Sequence, residues 1–344
     1  MSETQKINPK MLTLAREARG YSQADLAERS DVSRSMISKF EQDSLVMSTE
    51  LTNKLTSVLK FHDSLFHADT DILPPALYRR RDTVPAKTLM QIDANINLYQ
   101  MNIAKLLKAM KKEATEIPSI PLSTTGSPEA AADKLRKLWK LNKGAIDNLT
   151  EVLEAHGFIT VAMDFGTERV DSRSILIEDK FPVIFYNKKL LGDRLRFTLA
   201  YELGHIVMHT RTTLNTFTDL SKEANSFAAE LLMPRNEIIK DLGEKVDLEL
   251  LAKLKGKWKA SMHAILYRAM DIQVITENQK RYLINEFNAL KIRRREPKEL
   301  DLAIERGRLL RDLITTYRTK QKMNMTEIAE FFHLFEDEFL ERYS

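Results

Sequence analysis

The sequence predicts a mainly α-helical protein with one small α+β part. Gly and Pro number only 10 each among 344 residues, which argues against a loop-rich, fibrous or disordered chain. Apolar residues recur at spacings of three and four over most of the length, and only residues 158–186 hold short apolar runs of the β-branched and aromatic type. The length is a prior for two or three domains, and 43% hydrophobic with 30% charged residues suits soluble domains with sizeable cores. There is no Cys, which removes disulfide frameworks, Cys-ligated zinc, thiol nucleophiles and iron–sulfur clusters together, and fits a reducing cytoplasm. Metal chemistry would fall to the 7 His and the carboxylates. No charged stub precedes an apolar core at the N-terminus, and no apolar run approaches about 18 residues, so neither secretion nor a membrane span is expected. A net charge of +4, from 53 basic and 49 acidic residues, permits nucleic-acid binding without announcing it.

Four stretches separate. Residues 1–70 form a capped helical pattern. Residues 71–128 are a Pro-punctuated connector that holds Arg79-Arg80-Arg81, a helical run over 87–112 (Leu89, Ile92, Ile96, Leu98, Ile103, Leu106 and Leu107) and a Ser/Thr-rich linker at 118–128. Residues 129–275 open with helices over 129–139 and 146–156. Gly157 reads as a helix stop, and strands are expected at 158–163, 174–177 and 182–186 before helix returns after Gly192. Residues 276–344 read as helical and charged throughout, up to Tyr343. No repeat of fixed period is visible.

In the first stretch, residues 9–18 read as a helix with Leu12, Leu14 and Ala15 inward. Ser22 caps a second helix, with Asp25 three residues on as a dipole-favoured acid rather than the Glu or Gln of a full capping box. Asp31-Val32-Ser33 makes a tight turn into a third helix over 34–42 with Met36, Ile37 and Phe40 inward, and Leu51, Leu55, Val58 and Leu59 close the core. Two short helices about a tight turn are helix-turn-helix design, in which the N-terminal end of the second lies in the major groove. Residues 8–62 resemble the Xre/Cro/lambda-repressor family through Ala15-Arg16, Arg19-Gly20-Tyr21-Ser22-Gln23, Leu26-Ala27, Val32-Ser33 and Ile37-Ser38-Lys39-Phe40-Glu41. The resemblance implies a double-stranded DNA operator as partner, with Gln23 and Ser33 on phosphates or groove edges and Arg34, Ser35 and Ser38 at the bases. The bland alternative is a small bundle used only for dimerisation. Residues 1–70 carry slightly more acid than base, so affinity would need dimerisation or the arginines at 79–81, which otherwise read as a solvated turn.

The most informative segment is Tyr201-Glu202-Leu203-Gly204-His205, preceded by Arg196-Phe197-Thr198-Leu199-Ala200 and followed by His209. A zinc-peptidase helix places two His four residues apart on one face, with the Glu after the first polarising the metal-bound water. Glu202 and His205 hold two of those positions and Tyr201 holds the first. A second helix, over 222–234, carries Glu223. Together these resemble the ImmA/IrrE family of metallopeptidases, marked by R-F-T-L-A-H-E-x-G-H and E-A-N-x-F-A-x-x-L-L-M-P, and the likeness runs from Trp139 through Trp258 to Tyr267-Arg268-Ala269. It implies a zincin-like domain with a short sheet, zinc as cofactor, Glu202 as general base, and His205, Glu223 and the Tyr201 position as metal ligands. It also implies, for such a fusion, a phage, mobile-element, toxin–antitoxin or stress circuit with a repressor or toxin protein as partner.

Tyr201 is where the pattern departs. Ionising a phenol of pKa about 10 at neutral pH costs roughly 4 kcal/mol before a metal repays any of it. His209 could supply the second imidazole, but a site of His205 and His209 moves the metal one turn along and leaves Glu202 badly placed as base. Two readings stay open: an emptied metal pocket in which the phenol hydrogen-bonds to His205 or Glu223, or tyrosinate-assisted zinc binding with peptidase activity. The partner of Glu223 would be Tyr201 or Lys222, and Glu230 reads as solvated.

The remaining His have plain readings: His62, His67 and His333 as packing residues, His156 at a helix C-terminus, and His263 as support near the pocket. In the last stretch, residues 282–290 are amphipathic and 291–295 basic, a solvated run or a DNA-backbone contact. Residues 325–332 echo half of a helix-turn-helix with no readable recognition helix, and Phe331, Phe332, Phe335 and Phe339 read as core or dimer seam. Two functions follow from the resemblances. One is a DNA-binding regulator, expected as a homodimer, whose second domain senses, binds a partner or oligomerises; the other is a zinc endopeptidase that cleaves a repressor.

Overall fold

The computed structural model describes residues 7–46, 48–69, 79–80, 83–211, 219–243 and 245–343. The connector residues Leu73, Pro74, Pro75 and Arg81 lie outside them. The chain divides into two compact units, Met1–Glu113 with Met163–Val170 and Arg308–Ser344, and Ala114–Ala162 with Asp171–Gly307. The four sequence stretches thus regroup as two units, and the last stretch is shared between them. Seventeen α-helices occur among the described residues against a small sheet, so the molecule is mainly α with a small β part.

In the first unit, Asn8 accepts from Lys10 N and Pro9 occupies the first turn of helix Pro9–Ala18, which buries Met11, Leu12, Leu14 and Ala15. Ser22 opens helix Gln23–Ser30, and here the capping box is complete: Asp25 N donates to Ser22 Oγ at 3.1 Å and Ser22 N to Asp25 Oδ2 at 2.8 Å. The shorter Asp side chain does what Glu or Gln was thought necessary for. That bond from Ser22, with Lys87 beside it, holds the Asp25 carboxyl down at about 2. Asp31 turns the chain at φ 55 into helix Arg34–Glu41, capped by Ser33, and helix Thr49–Leu59 buries Leu55 and Leu59 over the pair. The 24-residue helix Ala86–Ala109 lies along Pro9–Ala18, with Asn95 Nδ2 donating to Ala18 O at 3.1 Å.

The C-terminal helices Leu309–Gln321, Met325–Phe331 and Glu336–Tyr343 complete this unit. Asn102 Nδ2 donates to Phe332 O at 3.0 Å and to Tyr343 Oη at 3.2 Å, and Arg19 grips both oxygens of Glu338 at 2.9 and 2.7 Å. His333, buried at φ 59, shares hydrogen bonds with Ser64 Oγ at 2.7 Å and with Lys105 Nζ at 3.3 Å.

In the second unit, strands Val170–Ile177 and Phe181–Asn187 pair antiparallel, from Ser172 opposite Tyr186 to Ile177 opposite Phe181, and Ile159–Met163 lies on the far side of Phe181–Asn187. The middle strand is buried at every position, as its continuous apolar run requires. The first of the pair begins at Val170, well before the expected Ser174, because its polar residues Asp171, Ser172 and Arg173 are buried against partners. Helices Gly192–His209 and Leu220–Leu232 pack closely: a Cβ on Gly204 would stand 2.8 Å from the Phe227 ring.

Residues 301–308 are not helical, contrary to the sequence expectation. They form an extended strap whose Glu305 carboxylate pairs with buried Arg196 and accepts from Thr150 N at 3.0 Å. Leu302 and Ala303 press their carbonyls so close to Gly192 that any Cβ there would clash at 2.5 and 2.7 Å. The linker stretch 118–128 is likewise packed, with Ile120 buried and its N–H donating to Val207 O at 2.7 Å.

Burial, reinforced by Lys105 and His62, pushes the His333 imidazole down to about 4. The unfolded chain, with a pKa of about 6.5, then binds this proton more tightly, so the stability held at neutral pH is lost as pH falls through that value towards 4. Acidification from pH 7 to 5 is expected to cost about 2 kcal/mol in urea unfolding through this residue. His333→Asn, which tolerates positive φ and does not titrate, should flatten that dependence; an unchanged slope would remove His333 as its source.

Candidate functional site

The reading end of helix Arg34–Glu41 is built from its cap. Ser33 Oγ accepts from Met36 N at 3.3 Å and shares a hydrogen bond with Ser35 Oγ at 3.2 Å, while Ile37 and Phe40 anchor the opposite face in the core. Arg34 and Ser35 are therefore exposed at the N-terminus, where the helix dipole favours anions, and Ser38 is half-buried one turn on. Gln23 is less available: its amide donates to Glu41 Oε2 at 2.8 Å. Glu41 is held in turn by buried Arg16, whose Nε donates to Oε1 at 2.5 Å and whose Nη1 donates to Tyr21 O at 2.8 Å. One guanidinium thus fixes the ends of both helices of the motif, a role the sequence pattern Arg16…Glu41 contains but does not explain. Arg79 is half-buried; the Arg80 side chain and Arg81 lie outside the described residues.

In the second unit, helix Gly192–His209 brings Tyr201, Glu202, His205 and His209 together, and its close crossing with Leu220–Leu232 delivers Glu223. Glu202 is bonded to the sheet. Ser172 Oγ donates to one carboxylate oxygen and Ser174 Oγ to the other, each at 2.5 Å, and the residue is only 4% exposed. Alternation along the strand puts both serines on one face, a period-two signal hidden by their polarity. Tyr201 Oη donates to Ser221 Oγ at 3.2 Å, and its ring stands edge-on to His205 at 4.6 Å.

His209 is the partner of Glu223, a role the sequence reading did not assign. Its Nε2 donates to Glu223 Oε2 at 2.9 Å, and its Nδ1 faces His205 Nδ1 at 3.0 Å. Burial lowers the His209 pKa, against the pull of Glu223. A neutral ring that donates from Nε2 to the carboxylate has Nδ1 left to accept from His205. The three residues form a carboxylate–imidazole–imidazole relay.

That arrangement does not fit a zinc ion. A ligand set of Tyr201, His205 and Glu223 must converge on one point, yet His209 stands between the other two and the phenol is directed to Ser221. Among the described residues no group of three His, Asp or Glu has ligating geometry. Glu230, read as solvated, is instead buried on helix Leu220–Leu232 in an ion pair with Arg268, and it accepts from Arg235 N at 2.9 Å. The His263 ring lies tilted against Phe287, with centroids 4.2 Å apart.

Removing both serines leaves a buried carboxylate without its hydroxyl donors. The double variant Ser172→Ala, Ser174→Ala is expected to lose about 2–4 kcal/mol in urea unfolding, and Glu202→Gln to recover part of it by removing the charge. Full stability in the double variant would show that Glu202 is not held by the strand.

Residues 12–51 match a family model described as helix-turn-helix, and residues 153–270 match one described as the IrrE N-terminal-like domain. No curated protein matches the chain. The first match covers the capped helices that expose Arg34 and Ser35, and the second covers the strands and helices that build the relay. The chain therefore joins an Xre-type helix-turn-helix segment, a DNA-binding design, to an ImmA/IrrE-like segment.

Proposed function

We propose that the protein is a transcriptional regulator of the Xre class whose IrrE-like domain has given up zinc peptidase chemistry and works as a sensing, partner-binding or oligomerisation module. The observation that carries this is the state of Glu202. A general base must present an oxygen to the attacking water; Glu202 is buried, and each of its oxygens already accepts a hydroxyl proton from the strand. The hydrogen-bonded chain from Glu223 through His209 to His205 supports the same reading, because it engages atoms that a metal would need. A phage, mobile-element, toxin–antitoxin or stress circuit suits such a fusion by analogy alone.

Full-length protein purified without chelator should contain zinc well below one equivalent by elemental analysis. One equivalent that disappears on Glu223→Ala would overturn the proposal in favour of a metallopeptidase. For the DNA role, Arg34→Ala should weaken binding to a duplex selected from a random pool by about 1–3 kcal/mol and relax preference at one base position. Unchanged affinity would remove Arg34 from the reading face.

A further inference from the structure

The three C-terminal helices repeat the build of the N-terminal motif at a constant offset in numbering. Gly20 at φ 69 corresponds to Lys322 at φ 56, and the capping box of Ser22 and Asp25 to that of Asn324 and Glu327. Buried Leu26 corresponds to Ile328, the left-handed turn residue Asp31 to His333, buried Val32 to Leu334 and buried Ile37 to Phe339. The segment that the sequence showed as half of a helix-turn-helix is one arm of a complete one. The repeat escaped notice because backbone conformations and buried positions are shared while residue types are not.

The second copy is not built to read DNA. Where the first places Arg34, Ser35 and Met36, the second places Glu336, Asp337 and Glu338, and carboxylates repel phosphates. Glu338 turns inward to Arg19 and Arg342, each at 2.7 Å. The outward face of helix Glu336–Tyr343 carries Glu336, Asp337 and Glu341 around Leu340, 40% exposed, with Phe335, 50% exposed, just ahead of it. Helix Leu309–Gln321 shows the opposite character. Arg311, Thr315 and Thr319 follow one exposed stripe that Arg308 and Lys322 flank, Thr316 and Lys320 are exposed further round the helix, and Asp312 is the single acid of the helix.

One small module thus displays a basic face and an acidic face with an apolar centre. Under a two-fold axis such a module complements itself twice, because the basic helix of each copy can meet the acidic helix of the other. We infer that the C-terminal helix-turn-helix is a dimerisation module: a second copy of this chain docks on Phe335 and Leu340 through reciprocal charge contacts between helices Leu309–Gln321 and Glu336–Tyr343. The occupant is argued from charge complementarity within the module, and it does not depend on whether the IrrE-like domain is a peptidase.

Charge-swap variants of the full chain test it. Wild type is expected to sediment as a dimer at tens of micromolar, with affinity falling as salt rises. The acid-reversed variant E336K/D337K/E341K and the base-reversed variant R311E/K320E/K322E should each sediment as monomers at the same concentration, with native circular dichroism and dimer affinity lowered at least about ten-fold. Their equimolar mixture should form the heterodimer, since each supplies the faces the other lost. A monomeric wild type, a variant that dimerises as wild type does, or a mixture that stays monomeric overturns the inference. Loss of DNA binding in R311E/K320E/K322E with dimerisation intact also overturns it, by showing the basic stripe to be a phosphate contact.

Discussion

A single buried guanidinium holds the second unit together. Arg196 is 1% exposed, and it donates from Nε to Lys259 O at 3.1 Å and from Nη2 to Ile146 O at 2.6 Å while pairing with Glu305 of the extended strap. Three segments distant in sequence are therefore tied to one helix, five residues before Tyr201. An uncompensated charge at such depth costs about 3–5 kcal/mol, so the strap, the helix end at Lys259 and the turn at Ile146 are set once Arg196 is buried. Lys255 adds a second buried knot, with Asp193 at 2.6 Å and Glu296 at 2.7 Å. Residues 296–305 thus belong to this unit, although by composition they read as a continuation of a charged C-terminal helix.

Helix Gly192–His209, fixed in this way, faces two environments. Glu202 looks to the sheet and is bound by serines; His205 and His209 look to helix Leu220–Leu232 and are linked to Glu223. Glu202 lies only three residues before His205, so the separation is set by the partners: Ser172 and Ser174 hold the Glu202 carboxylate and Glu223 holds the His209 imidazole. His209 reaches Glu223, and the phenol of Tyr201 donates to Ser221. Ancestry in a peptidase fold and a regulatory role are compatible on these terms, since function resides in the site rather than in the fold.

Several elements could be read directly from residues. Ser22 and Ser33 mark the starts of helices that the structure contains, Gly157 sits at φ 84 just past a helix end, and the apolar spacing from Ile92 to Leu107 is the buried face of a long helix. The two family-like motifs were equally plain. The missed features have a common character. The strand start at Asp171–Ser174 hid behind polar residues, the strap at 301–308 behind charge, and the C-terminal repeat behind dissimilar side chains.

By itself, then, the sequence determined whatever depends on near neighbours: caps, helical periods, turn residues and the substitution of Tyr201 in an otherwise familiar pattern. Only the tertiary structure decided the partners. Glu202 meets serines 28 and 30 residues away, Glu223 meets a histidine 14 residues away, and Arg19 meets Glu338 across 319 residues. The reason is physical. A cap is satisfied within one turn of backbone, whereas a buried charge takes whichever donor or acceptor the packed chain brings within about 3 Å, and many distant residues could serve.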